Sequence, residues 1–305
     1  MTEALQFADS RDAVFSAVVE SFGSNEDFVF LTNDLGAFGL EALREEFGSR
    51  VFNGGIQEQN LVSVAAGMAL TGQVPVLYGI TAHVLGRAYE QIRIDLSYSR
   101  VRAVVLGMGP GYTYGDDGPT HQAPHDLPLL ATLPNVHVYV PTNPLLAYRL
   151  TREALASDGL SWVSVDKAQS SPEFPLSQEH QSGWRRLHEG HRGTLLVSGF
   201  MTALVLELAK EFNVTLIEIY RPLPLPESVL SAINTERPIL VVEETYPSGT
   251  VVSQLSRGLD ARVPLTLLSF GLSEPTSLGM VNRVDEAQST VSQVRQVCEE
   301  LWNVE

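Results

Sequence analysis

The stretch Asn53-Gly54-Gly55-Ile56-Gln57-Glu58-Gln59-Asn60 lies between a short apolar segment, Arg50 to Phe52, and a helix-forming segment of small residues, Leu61 to Leu70. It places one carboxylate, Glu58, at the predicted start of a closely packed helix. Two interpretations of this carboxylate are open. In the first, Glu58 caps the helix and its charge is favoured by the helix dipole. In the second, it is a semi-buried acid that holds a proton for chemistry.

Helix-like and strand-like segments alternate on both sides of this stretch. The helical period predicts a helix from about Ser10 to Ser21, a strand is predicted from Phe28 to Thr32, and another helix from Val84 to Leu96. Such alternation is typical of a mostly parallel sheet with helices on both faces. The fold class predicted from the sequence is therefore α/β.

The alternation is interrupted once, by a stretch rich in Ser, Gln, Pro and His that lacks either period. We predict a linker there, over residues 169–192. It separates a first domain, 1–168, from a smaller second α/β domain, 193–305. A chain of 305 residues with 44% hydrophobic content is long enough for two such cores.

The charge balance bears on the kind of partner. The chain carries 36 acidic against 20 basic residues, a net charge of −16, which argues against binding to nucleic acid or to an anionic membrane. Its single cysteine, Cys298, excludes an internal disulfide and is predicted to be a small buried hydrophobe. The sequence has no signal-like N-terminus and no run of eighteen apolar residues, so we expect a cytoplasmic protein.

Polar residues cluster just after the predicted strands, where parallel sheets bind their ligands. Asp34 follows the first strand, the 53–58 stretch follows the second, 79–83 the third and 108–125 the fourth. The last of these segments is long and rich in glycine. Long loops in compact domains are usually functional or disordered, so the segment is either a ligand-binding loop or a solvated surface loop.

Two of these stretches resemble a known family. Gly55-Ile56-Gln57-Glu58-Gln59-Asn60 resembles the signature of the pyrimidine-binding domain of transketolases and of 1-deoxy-D-xylulose-5-phosphate synthases. Asp116-Asp117-Gly118-Pro119-Thr120-His121-Gln122 resembles a second run of the same families, in the same order. A looser likeness continues through 87–92 and into the last third of the chain. The resemblance implies a pyrimidine-binding domain followed by a transketolase-like C-terminal domain.

The resemblance implies thiamine diphosphate as the cofactor. Glu58 then stands beside the aminopyrimidine ring, where it shares a proton near neutral pH, and Ile56 packs on the cofactor. Asp34 and Leu35 help to organise cofactor and subunit contacts, although Asp34 is read equally well as a turn cap. The implied cofactor-binding residues are Glu58, Ile56, Asp34, Leu35, Val84 and Arg87.

Asp117 and His121 stand where the family reads the hydroxyls and carbonyl oxygen of the donor sugar, so they join Glu58 as predicted catalytic residues. The full set of predicted substrate-binding residues is Arg11, His83, Asp117, His121 and Lys167. Two departures from the family concern the pocket. The segment 79–86 has no aromatic residue, and Val84 falls nearest to the stacking phenylalanines. Phe38, Tyr112 and Tyr114 either line a pocket for a less charged acceptor or are packing residues.

A further departure concerns the metal. The family holds Mg2+ and the diphosphate through a Gly-Asp-Gly motif followed by Asn, and these 305 residues contain none. The resemblance therefore implies the C-terminal subunit of a split transketolase. Its partner would be an N-terminal subunit that carries Gly-Asp-Gly, and we expect a homodimer within a heterotetramer.

Two other classes remain open. One is the beta subunit of a 2-oxoacid dehydrogenase, which shares the glutamate but lacks the Asp-Gly-Pro-Thr-His run. The other is a non-catalytic interaction subunit, suggested by the missing phenylalanines.

Overall fold

The computed structural model describes residues 7–166, 183–245, 250–260, 262–269 and 279–302. The first domain is built on six parallel strands. These are β1 (Phe28–Thr32), β2 (Val51–Asn53), β3 (Val74–Ile80), β4 (Ala103–Met108), β5 (Val136–Tyr139) and β6 (Leu160–Val165). They lie in the order β2-β1-β3-β4-β6-β5.

Helices cover both faces of this sheet. They are α1 (Ser10–Ser24), α2 (Phe38–Phe47), α3 (Glu58–Leu70), α4 (Thr81–Val84), α5 (Tyr89–Gln91), α6 (Asp126–Leu130) and α7 (Pro144–Ala156). A π-helix, Ile92–Tyr98, continues α5. One apolar core lies under α1 and α7, and a second lies under α3 on the opposite face. Strands buried on both faces explain why β1, β4 and β6 read as continuous buried runs rather than as alternating ones.

The second domain has a five-stranded sheet in the order β11-β10-β8-β9-β7. Its strands are β7 (Trp184–His188), β8 (Thr194–Val197), β9 (Thr215–Ile219), β10 (Ile239–Glu243) and β11 (Leu265–Ser269). Its helices are α8 (Met201–Glu211), α9 (Ser228–Ala232), α10 (Val251–Gly258) and α11 (Arg283–Trp302). All pairings are parallel except that of β7 with β9. The predicted α/β class, with mostly parallel sheets, is confirmed.

Two local predictions are wrong. Part of the predicted linker, Trp184–His188, is an antiparallel edge strand. Its polar residues conceal it, because Arg185 is buried through an ion pair with Glu218 of β9. The predicted helix from Val84 to Leu96 is also interrupted, since α4 ends at Val84 and α5 begins only at Tyr89.

Two further observations concern Cys298 and membranes. Cys298 is completely buried in the core beneath α8 and α11, where burial raises the pKa of its thiol to about 12. Its predicted role as a small buried hydrophobe is confirmed. Within the described ranges, none of the helices is both long enough and apolar enough to cross a membrane.

Candidate active site

The carboxyl ends of β1 and β2 are joined by a pair of polar side chains. Asn53 Nδ2 donates a hydrogen bond to Asp34 Oδ1 over 2.9 Å, and the backbone N–H of Asp34 donates to Asn53 Oδ1 over 3.0 Å. Asp34 adopts a left-handed backbone with φ of 58°, which Asp tolerates better than most residues. The pair fixes the chain at the sheet edge where the 53–60 stretch begins, and it leaves Asp34 exposed.

Glu58 is the first residue of α3, and the residue is only 7% exposed. Arg87 Nη1 donates to Glu58 Oε1 over 3.0 Å, and His83 Nδ1 lies 4.0 Å from the same oxygen. In the described part of the chain, the carboxylate accepts its hydrogen bond from Arg87 and not from the helix backbone. Glu58 is therefore oriented towards the polar side chains that follow β3, as the chemical interpretation requires.

A threonine joins the two predicted histidines. His83 Nε2 lies 3.1 Å from the carbonyl oxygen of Thr120, and His121 Nδ1 lies 2.9 Å from Thr120 Oγ1. The two imidazole rings meet edge to face, with centroids 5.0 Å apart. The structure thus brings together Glu58 of α3, His83 of α4 and His121 of the loop after β4.

The protonation of His83 follows from its surroundings. Burial, and then the charges of Arg87 and His121, lower the pKa of His83, so the ring is neutral at neutral pH. Because a carbonyl oxygen can only accept, the Nε2 atom facing Thr120 carries the proton. Nδ1 then presents its lone pair towards Glu58, whose Oε1 atom is 4.0 Å away.

Asp117 lies on the same loop as His121, at the end of a 3₁₀ turn, Gly115–Asp117, and is exposed. Tyr114 precedes this turn, and its ring centroid is 6.2 Å from that of His121. Burial raises the pKa of the Tyr114 hydroxyl, while the charges of Arg11 and Asp117 act on it in opposite directions. Arg11 itself contacts Asp9 over 3.4 Å. Arg11 and Asp117 therefore both lie close enough to Tyr114 for their charges to act on its hydroxyl.

The remaining predicted site residues differ in how much of their surface is exposed to a ligand. Ile56 is 73% exposed, as expected of a side chain that could pack on a ligand. Leu35 is half-buried and packs against the core under α1. Val84 is completely buried and packs in the core under α3, so it has no free surface to offer to a ring. Lys167 lies outside the described residues.

Tyr112 is a packing residue. Its side chain is 5% exposed and lies within the core of the second domain, so the pocket interpretation of this residue is wrong. Tyr114 keeps that interpretation, since it is only half-buried and borders His121.

Three further polar residues near this site were not predicted from the sequence as site residues. Thr120 connects the two histidines, and Asn33 and Thr81 are buried beyond β1 and β3 with side-chain atoms that have no hydrogen-bond partner within the described ranges. A ligand with ring nitrogens can satisfy such atoms. Asn33 and Thr81 come just after predicted strands, which was a usable signal because the same position singled out Asp34.

The loop after β4 is also held at its base by a buried carboxyl. Asp126 accepts from its neighbour Leu127 N over 2.6 Å and from Gly111 N over 3.4 Å. Burial, and then the nearby charge of Glu244, raise the pKa of Asp126 to about 7, whereas backbone hydrogen bonds and Arg283 act to lower it. The folded chain therefore keeps this carboxyl protonated where the unfolded chain has released the proton.

This difference predicts a pH-dependent gain from Asp126→Asn. Between the ordinary pKa of 3.8 and about 7, the wild-type carboxyl lowers stability as pH rises, by up to about 1.4 kcal/mol per pH unit. Asn cannot ionise, so the variant should gain stability relative to wild type across this window and then level off. Urea unfolding of both proteins at pH 5 and pH 8 measures the change. Asp116→Asn, at an exposed position, is the control, and a difference independent of pH would contradict the assignment.

The described residues also bear on whether side chains of this chain could hold a metal ion. Over those residues, no three or more His, Cys, Asp or Glu side chains are grouped so as to hold a metal ion.

Comparisons with known proteins agree with the two motifs. The chain is 29% identical over 277 residues to a 1-deoxy-D-xylulose-5-phosphate synthase of Thermobifida fusca, covering 86% of this chain and 43% of that protein. It is 24% identical over 277 residues to a 6-deoxy-6-sulfo-D-fructose transketolase subunit of Clostridium sp., covering 87% of this chain and 84% of that subunit. The chain thus spans less than half of the synthase but most of the subunit.

The fold agrees as well. A solved structure described as a split gene transketolase, inactive beta4 tetramer, superposes with a TM-score of 0.77 at 24% identity, covering 95% of this chain and 99% of that one. The family model of the transketolase pyrimidine-binding domain matches residues 7–170, which are more than half of the chain. The resemblance inferred from the two motifs is confirmed, and this protein belongs to the family that carries the transketolase pyrimidine-binding domain.

Proposed function

We propose that this chain is the C-terminal subunit of a transketolase-like enzyme that uses thiamine diphosphate. The enzyme transfers a two-carbon ketol unit from a ketose donor to an aldehyde acceptor. The observation that carries the proposal is the buried Glu58 at the start of α3, placed against Arg87 and His83 with His121 beside them. An acid, two imidazoles and a polar loop at one sheet edge are what this chemistry needs.

The residues at this edge fit the cofactor. When bound, thiamine diphosphate supplies an electron-rich carbon that attacks a carbonyl group and carries the two-carbon fragment. Glu58 would hold the proton exchanged with a ring nitrogen, and Asn33 and Thr81 would satisfy polar atoms of the ring. The exposed Ile56 would cover it. Arg87 would help to orient the acid.

We further propose that a partner subunit holds the diphosphate and Mg2+ through Gly-Asp-Gly. The relative from Clostridium sp. is itself named as a subunit. The first domain exposes apolar side chains along β2, the turn that follows it, α3 and the π-helix, as an obligate interface requires. They are Phe52, Ile56, Val64, Leu70, Ile94 and Tyr98. We assign this face to a homodimer within a heterotetramer, in the cytoplasm.

Variants of the loop that carries Asp117 and His121 test the function in the reconstituted pair. Asp117→Ala and His121→Ala should each lower kcat/KM for ketose donors by about 10- to 100-fold, because each would remove a hydrogen bond to a substrate hydroxyl or carbonyl. Cofactor affinity should change much less. A ketose-plus-aldehyde assay with titrated thiamine diphosphate measures both quantities, and Asp116→Ala, in the same exposed turn, is the matched control.

The same assay separates the alternatives. Equal losses of activity and of cofactor affinity would show that Asp117 and His121 are structural. Turnover of a 2-oxoacid, but not of a ketose, would favour the dehydrogenase class. No turnover with any donor, in a pair that assembles, would favour the interaction subunit, for which the completely buried Val84 and the missing aromatic residues are the present argument.

A further inference from the structure

The loop that carries Asp117 and His121, residues 109–125 (the substrate loop), leaves the first domain and packs on the second. Tyr112 lies in the apolar core of the second domain, to which Val281 also belongs. A loop of the catalytic domain thus contributes a ring to the core of the other domain. The position of the loop therefore depends on contacts with the second domain.

Four hydrogen bonds also connect the loop to the second domain. Tyr112 N donates to Glu244 Oε1 over 3.0 Å, and Val281 N donates to the carbonyl oxygen of Gly115 over 2.9 Å. Thr245 Oγ1 donates to the carbonyl oxygen of Pro124 over 3.0 Å, and Gln122 Nε2 donates to that of Gly279 over 2.7 Å. The bonds lie on both sides of Asp117 and His121, so they fix the loop before and after those residues.

The approach is too close for larger side chains. A Cβ atom added at Gly115 would lie 2.0 Å from the carbonyl oxygen of Val281. One added at Gly111, whose φ is 55°, would lie 2.6 Å from the carboxyl carbon of Glu244. Glycine at these two positions is therefore required for contact between the domains.

Glu244, whose carboxylate accepts the hydrogen bond from Tyr112 N, is itself held in place by Arg283. Arg283 of α11 donates to both oxygens of Glu244, over 2.7 and 2.6 Å, and to both oxygens of Asp166, over 2.9 and 2.8 Å. Asp166 follows β6 of the first domain and also accepts from Thr113 of the loop over 3.2 Å. Arg283 is about 10% exposed, so the network is shielded from water. Both domains and the loop are thus joined through one guanidinium group.

We propose that the second domain positions the substrate loop for catalysis, with Glu244, Thr245 and Gln122 as positioning residues for Asp117 and His121. The catalytic part of this inference rests on the proposed function, whereas the attachment itself does not. The second domain then has a role in the reaction beyond supporting assembly.

Thr245 offers the cleanest test, because Thr245→Val keeps the shape of the side chain and removes only the donor to Pro124. Hydrogen exchange of the isolated chain, followed by mass spectrometry, should show exchange of residues 109–125 accelerated by about 2- to 10-fold. Thr245→Ser restores the hydroxyl and should restore protection. The matched control is Thr202→Val, a buried threonine whose hydroxyl has no partner in the described part of the chain.

Unchanged exchange in the loop, or an equal rise across both sheets, would overturn the proposal. If Thr245→Val does not fold, Gln122→Leu is measured and read by the same two outcomes. In an active reconstituted pair, Thr245→Val should lower kcat/KM for the ketose with unchanged cofactor affinity, and Thr245→Ser should recover it. Because exchange is measured on the chain alone, a pair without activity would count against the proposed function and not against the attachment.

Discussion

Glu58→Gln in the reconstituted enzyme should lower turnover by at least about 10²- to 10⁴-fold, the loss typical of removing a general acid–base group. Gln has the shape of Glu and can still accept from Arg87, but it cannot take up or release the proton. The fold should survive, because Arg87 is half exposed and water can solvate it once the charge of its partner is gone. The variant therefore separates proton transfer from packing.

The direct measurement is exchange of the thiazolium proton of bound thiamine diphosphate, followed by NMR. Exchange in Glu58→Gln should slow with turnover, while thermal unfolding and partner binding stay close to wild type. Glu90→Gln, which removes an exposed carboxylate from α5, is the matched control and should leave exchange unchanged. An unchanged exchange rate in Glu58→Gln would refute the role assigned to this acid.

The second large effect concerns the chain without its partner. Calorimetry should detect negligible binding of thiamine diphosphate to this chain alone with Mg2+ present, and binding should appear when a subunit carrying Gly-Asp-Gly is added. The reason is that Glu58 and Ile56 would contact only the pyrimidine ring of the cofactor. These 305 residues contain no Gly-Asp-Gly to hold the metal and the diphosphate. Turnover should require both chains.

Thiamine, which lacks the diphosphate, is the control ligand for the pair. It should bind far more weakly than thiamine diphosphate if the partner supplies the diphosphate site. Circular dichroism of the chain alone confirms that missing binding is not caused by unfolding. Tight binding of thiamine diphosphate by this chain alone, or turnover without a partner, would rule out the split-enzyme proposal.

Much of the fold could be predicted from local sequence. The strand predicted at Phe28 to Thr32 has those bounds in the structure, and the helix predicted from about Ser10 continues only three residues further, to Ser24. Buried strands read as apolar runs and helices repeat near every 3.6 residues, so each element carries its own signal. The 55–60 motif likewise identified Glu58 and its place at the start of α3 without any knowledge of the sheet order.

Other features depend on residues far apart in the chain. The strand Trp184–His188 was missed because Arg185 is buried only through Glu218, 33 positions away. Val84 was predicted to face the cofactor, but the packing of α4 against β3 buries it completely. A local pattern contains no information about such partners.

The sequence by itself determined the α/β class and the family, since periodicity and short motifs suffice for these, and it singled out Glu58 as the candidate acid. Only the tertiary structure decided that His83 and His121 meet through Thr120, that Arg87 pairs with Glu58, and that the substrate loop is attached to the second domain through Tyr112. The contacts of His83 with Thr120, of Arg87 with Glu58 and of Tyr112 with the second domain join segments that are far apart in the chain. Folding alone brings them within hydrogen-bonding distance.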